Sequence, residues 1–155
     1  MSLKTNPQLP IAFWAVCLFA LLGSSEAQAD KRPYSQQELE KVATHIVVGK
    51  VQAIYSRKER QGFYEYTRLI AEVKVNRVEK GKGPKDLIYI RYFKVRWVGP
   101  GQVPPGGSSH HPQPNAHETY RFYLARNAYD GHNSKSPGDG GYNVVYVNGI
   151  QPITQ

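Results

Sequence analysis

The feature that most constrains this chain is a strict two-residue alternation between residues 69 and 76. Leu69, Ala71, Val73 and Val75 fall on one face, and Arg68, Glu72, Lys74 and Asn76 fall on the other. Successive side chains of a strand point to opposite sides, so the pattern describes an antiparallel strand with one buried and one wet face. It predicts a strand over residues 63–78. Similar patterns predict strands over 45–57, 86–97, 118–125 and 142–147. In the first of these Ile46 and Val48 alternate, Gly49 breaks the phase, and Val51, Ala53 and Tyr55 resume it, which predicts a bulge or a sharp coil at the glycine. In the third, Ile88, Ile90 and Tyr92 share one face, and Arg91, Phe93, Val95 and Trp97 share the other. Arg57 to Gly62 reads as a charged turn.

Ser35-Gln36-Gln37-Glu38 has the form of a capping box, and Leu39, Val42 and Ala43 follow at helical spacing. A short helix over residues 35–43 therefore opens the folded part. Residues 98–117 are too rich in proline and glycine for a regular element, and 129–141 form a second polar loop. The order is one short helix and five strands. It predicts a mainly β fold, a five-stranded OB-like Greek-key barrel with a short N-terminal helix. The predicted core is Val48, Val51, Leu69, Ala71, Val73, Ile88, Ile90, Phe122 and Leu124.

The first 29 residues carry a different signal. Lys4 precedes an unbroken apolar run from Ile11 to Leu22, and Ala27-Gln28-Ala29 has the small-x-small form of a cleavage site. This order reads as a cleaved secretory signal, with one β-barrel domain over residues 30–155 and a secreted or periplasmic location. The run is too short for a spanning helix, which needs roughly 20 apolar residues, so no transmembrane segment is expected after cleavage. Cys17, the only cysteine, lies inside the run, so the exported part has no disulfide, thiolate metal site or cysteine nucleophile. The formal charge is +8. It is unchanged by loss of the signal, which removes Lys4 and Glu26. Outside the cytosol such a surface points to a protein or an acidic polymer of the cell envelope or exterior as partner, and export argues against nucleic acid.

Two groups of residues are candidates for function. Tyr89, Arg91, Lys94, Arg96 and Trp97 on the third strand, with Lys82 and Lys85 in the loop before it, combine cations with flat rings. Such a set suits anionic groups and stacking on a barrel face. Because neighbours on a strand point oppositely, Lys94 and Arg96 are expected on one side and Arg91 on the other. His110, His111 and His117 lie close together in the long loop, and imidazole suits zinc or copper, although their spacing matches no zinc signature. No other cofactor is implied. Enzyme signatures are missing: Gly81-Lys82-Gly83 precedes a strand and lacks the end of a phosphate-binding loop, there is no Gly-x-Ser-x-Gly, and the carboxylates are scattered.

Three segments resemble the netrin-like domains, the family that includes the tissue inhibitors of metalloproteinases. Thr44-His45-Ile46-Val47-Val48-Gly49-Lys50-Val51 is similar to their first barrel strand. Val73-Lys74-Val75-Asn76-Arg77-Val78-Glu79-Lys80-Gly81 resembles the second, with its Lys-Gly ending. Tyr120-Arg121-Phe122-Tyr123-Leu124 resembles the strand after the long loop. The resemblance spans residues 44–150 and implies an OB-like barrel that binds other proteins without catalysis. The inhibitors hold a protease zinc through an N-terminal cysteine. This chain has none after residue 17, so that mechanism does not carry over. The function expected is an exported, non-catalytic binding module. A metal-binding protein using the histidine loop and an enzyme of unknown class are the alternatives.

Overall fold

A computed structural model describes residues 32–83, 85–104, 109–126 and 141–153. The signal-like segment lies outside the described residues. Among the described residues no helix is long and apolar enough to cross a membrane.

Helix α1 (Gln36–Val42) starts as its sequence dictates. Ser35 Oγ accepts from the Glu38 amide, and the Glu38 carboxylate accepts from the Ser35 amide at 2.8 Å. These bonds satisfy two backbone donors that a helix start leaves without partners. Arg32 adds a fork onto the same carboxylate, and together these donors hold the Glu38 carboxyl down at about 2. The helix buries Leu39 completely against Ile46, Tyr123 and Val145.

Six strands follow: β1 (His45–Gln61), β2 (Tyr64–Lys80), β3 (Leu87–Trp97), β4 (Thr119–Arg126), β5 (Tyr142–Val144) and β6 (Ile150–Pro152). β1 pairs antiparallel with β2, and β2 with β3. β3 runs parallel to β5, β5 pairs antiparallel with β4, and β4 returns antiparallel to β1. The sheet thus closes into a ring of five strands in the order β1-β2-β3-β5-β4. β6 lies along the edge of β4 that β5 also uses.

The ring's core contains Val47, Val51, Ala71, Val73, Ile88, Ile90, Phe122, Leu124, Val144 and Ile150. Leu69 packs on its margin. Val48 is buried but lies outside this cluster, because Val47, Gly49 and Val51 share the core face and Val48 points to the opposite one. A register shift moves the following side chains to the opposite face. The break in phase expected at Gly49 lies instead after Val51: the pairing skips Gln52, so Val51 faces the core and Ala53 the opposite side, while at Gly49 the skipped residue is Asn76 of β2.

The structure differs from the expectation most at the β1–β2 connection. Residues 57–61 are not a turn. β1 continues to Gln61, the chain reverses through Gly62 and Phe63, and β2 begins at Tyr64, with Gly62 at φ +59°. Positive φ costs glycine nothing, so this residue fits a tight hairpin. β1 meets β4 only as far as Lys50, and β3 meets β5 only at Ile90 and Arg91. Residues 55–61, 64–70 and 91–97 therefore run on beyond the ring as a three-stranded blade.

Candidate functional site

The pairing register assigns every blade side chain to one of two faces. Successive cross-strand rows on the outer face are Ala53, Glu72 and Tyr89; Tyr55, Ile70 and Arg91; Arg57, Arg68 and Phe93; Glu59, Tyr66 and Val95; then Gln61, Tyr64 and Trp97. The other face continues the phase of the core. Its rows beyond Leu69 and Tyr92 are Lys58, Thr67 and Lys94, then Arg60, Glu65 and Arg96.

The outer face joins rings to cations. Tyr55 and Tyr89 are each about half exposed, at 53% and 52%. The Tyr55 hydroxyl donates to Glu72 Oε2 at 3.0 Å, which fixes the ring and pushes its own ionisation upward. A depression of about 400 Å3 lies between Tyr55, Arg57, Arg68, Ile70 and Arg91. A second, of about 450 Å3, adjoins it and runs past Ile70 and Arg91 to Tyr89 and Leu87. The two make one track across the face.

Arg57 and Arg68 stand directly opposite each other, an arrangement that destabilises a sheet when no anion joins it. Arg57 has no ion-pair or hydrogen-bond partner among the described residues. Arg68 Nη2 lies 3.2 Å from Glu59 Oε2, yet neither Nε nor Nη2 of Arg68 has a hydrogen-bond acceptor, and both atoms are buried. Those two nitrogens form the side-on fork of the guanidinium, whose two N–H groups match the oxygens of a carboxylate or phosphate.

On the other face one carboxylate serves two of four cations. Glu65 sits 3.0 Å from Arg96 Nη2 and 3.7 Å from Lys58 Nζ. Lys94 and Arg96 thus lie on the side opposite Arg91, as the alternation predicts. Lys82 and Lys85 do not join either group. They precede β3, whose 11 residues extend for roughly 35 Å, and the Lys82 carbonyl lies 3.2 Å from His45 Nε2 near the start of β1. The seven sequence-predicted residues are therefore divided among three places. Trp97 packs with Phe63 and Tyr64 at the blade tip, with ring centroids 5.3 Å and 5.0 Å away, and is only partly open to solvent. Sequence reasoning missed Tyr55, Arg57 and Arg68 as members of the outer face. The signal was present in the alternation, but assigning Arg57 to a turn hid its register with Arg68.

In the histidine loop, His110 is engaged by backbone hydrogen bonds. His110 is buried, and its Nδ1 accepts from the Phe93 amide at 3.2 Å. Nδ1 also lies 3.3 Å from the Phe93 carbonyl, and Nε2 lies 3.3 Å from the Val144 carbonyl. Burial lowers the ring's ionisation below the usual histidine range, against the raising effect of the Phe93 and Val144 carbonyls. Ser109 does for Val95 what His110 does for Phe93: its Oγ accepts from the Val95 amide at 2.8 Å. The loop therefore closes the β3 edge past Arg91, where β5 has ended, and covering an exposed strand edge discourages unwanted pairing. His111 and His117 have exposed side chains. No group of three potential metal ligands occurs among the described residues.

No family model matches the chain, and no curated protein or solved structure is significantly similar to it.

Proposed function

We propose that this chain is an exported, non-catalytic binding module of OB type, related to the netrin-like domains, which holds an acidic partner on the outer face of its β1–β2–β3 blade. The ring order β1-β2-β3-β5-β4, with β3 parallel to β5, supports the barrel assignment. OB barrels take extended ligands across strands two and three, where the track lies. One observation carries the reading: on the outer face Arg57 and Arg68 stand opposite each other with the Arg68 fork short of an acceptor, on a blade that holds seven cations, Arg57, Lys58, Arg60, Arg68, Arg91, Lys94 and Arg96, against Glu59 and Glu65. Much of the chain's positive charge is thus gathered on one projecting element, where it strengthens the field felt by an approaching polyanion.

The outer face is preferred over the opposite one, which has more cations, because only on the outer face do Arg57 and Arg68 face each other beside two open tyrosine rings. Retention on an immobilised polyanion such as heparin tests this. The protein should elute at raised salt, since exposed charges are screened over about 8 Å at physiological ionic strength. Reversing Arg57 and Arg91 to Glu should lower the eluting salt more than reversing Lys94 and Arg96, with all variants checked for native melting. Equal elution of the two double variants, or a larger loss from Lys94 and Arg96, would contradict the assignment.

A further inference from the structure

We propose that Arg68 is the anchor of an oxyanion seat for a uronate-bearing oligosaccharide, and that Glu59 occupies this seat when the ligand is absent. The proposal rests on the outer face being the binding surface. Its evidence is the incomplete pairing of Arg68. The Glu59 carboxylate is close enough to neutralise the guanidinium, at 3.2 Å from Nη2, but it does not complete the hydrogen bonds of the Nε/Nη2 fork. A buried donor without an acceptor costs about 1–3 kcal/mol, and more when charged. Glu59 is thus a poor internal stand-in for a carboxylate that would meet both nitrogens. Its side chain is one-third exposed, so it can swing away into water.

The surroundings select the ligand class. Arg57 lies directly across from Arg68, and Arg91 lies on the next row of the neighbouring strand. Both are within the reach of same-face neighbours, about 5 Å for opposite and 7–8 Å for diagonal positions. Arg68 and Tyr55 line one of the two depressions and Tyr89 the other, and the half-exposed tyrosine rings offer flat apolar surfaces. Glu72 stands between them, bound by the Tyr55 hydroxyl at 3.0 Å, and retains acceptor capacity for a ligand hydroxyl. A sugar ring supplies all three complements: an apolar face, hydroxyl donors and, in a uronate, a ring carboxylate. A single strand of DNA fits less well, because it brings phosphates and bases but no ring hydroxyls to donate to Glu72. An acidic peptide brings carboxylates but no flat ring for the tyrosines.

Binding of oligogalacturonate to the protein, followed by calorimetry or fluorescence at low salt, tests the proposal. Arg68→Lys keeps the charge and removes the fork, so it should weaken binding roughly tenfold. Glu59→Gln should tighten binding by about threefold or more, because the internal competitor is lost. Glu65→Gln removes the same charge from the opposite face and should change affinity by less than twofold. An equal gain from Glu59→Gln and Glu65→Gln would show only general electrostatics and overturn the seat. So would unchanged affinity in a folded Arg68→Lys. If Arg68→Lys fails to fold, the glutamate pair still decides. Equal or tighter binding of methyl-esterified oligogalacturonate, of polyglutamate or of single-stranded DNA would overturn the ligand class. Loss of the seat predictions while heparin retention persists would refute this inference alone; absence of heparin retention would refute the underlying reading.

Discussion

Gly49→Ala separates this fold from a generic strand more sharply than any other single change. Alanine at an unstrained strand position normally stabilises by about 0.4–1 kcal/mol through the unfolded chain. Here the sign should reverse. A Cβ on residue 49 would lie 2.5 Å from Val73 Cγ1 and 2.6 Å from the Lys74 carbonyl oxygen, whereas carbon contacts settle near 3.5–4.0 Å. Val73 is fully buried, opposite Val51 on one side and Ile88 on the other, so it cannot retreat. Lys74 contributes backbone, in the strand paired to β1. Overpacking of this kind costs about 1–3 kcal/mol, and two immovable neighbours put the value near the top, about 3 kcal/mol. For a domain of this size that lowers Tm by roughly 10–15 °C. Thermal melting followed by circular dichroism measures it, with urea midpoints as a check. Val73→Ala removes one of the two clashes, so the double variant should be less destabilised than the two single losses added together. A Gly49→Ala protein melting within about 3 °C of the parent, or strict additivity in the double variant, would refute the close approach of β1 and β2.

Other consequences follow from the same structure. Val73→Asp should prevent folding, seen as lost amide dispersion, because an unpaired charge in this core has no partner; wild-type melting would contradict the core. His110 is neutral when folded and its ionisation is lowered by burial, so the unfolded chain takes up the proton first. Stability should be complete above the ordinary histidine value of about 6.5 and fall as pH drops from there toward the lowered folded-state value. That slope in urea midpoints should vanish in His110→Gln, and its persistence would refute the assignment. Zinc or copper should leave Tm unchanged, since both His110 ring nitrogens serve backbone groups; a rise abolished by His111→Ala and His117→Ala together would contradict this.

The ring was legible where burial imposes a period. The alternation through Ala71, Val73, Ile88 and Ile90 is the direct imprint of a one-sided core, and Ser35 with Glu38 marked the helix start because capping is local chemistry. The blade was harder to read. Beyond Leu69 the β1 strand of the blade is not buried as the core is, so Arg57, Lys58, Glu59 and Arg60 show no apolar alternation and resemble a charged turn. β6 is three residues long and pairs with a distant strand, which no local pattern records. The division of the cations could be read from parity alone for Arg91 against Lys94 and Arg96. The meeting of Arg57 with Arg68 required the hairpin register, which depends on the position of Gly62. His110 gave no sign in sequence that its ring acts as an edge partner for β3, since that role depends on where the long loop crosses the strand.

The central claim, an acidic ligand held on the outer face of the blade, is tested most directly by mapping amide shifts of the isotopically labelled protein during titration with oligogalacturonate. The account predicts the largest, saturable changes in residues 55–59, 66–70 and 89–93, with little change in the 80–86 loop or in His111 and His117. Changes concentrated at Lys82 and Lys85, at the histidine loop, or spread evenly over every exposed cation would contradict it.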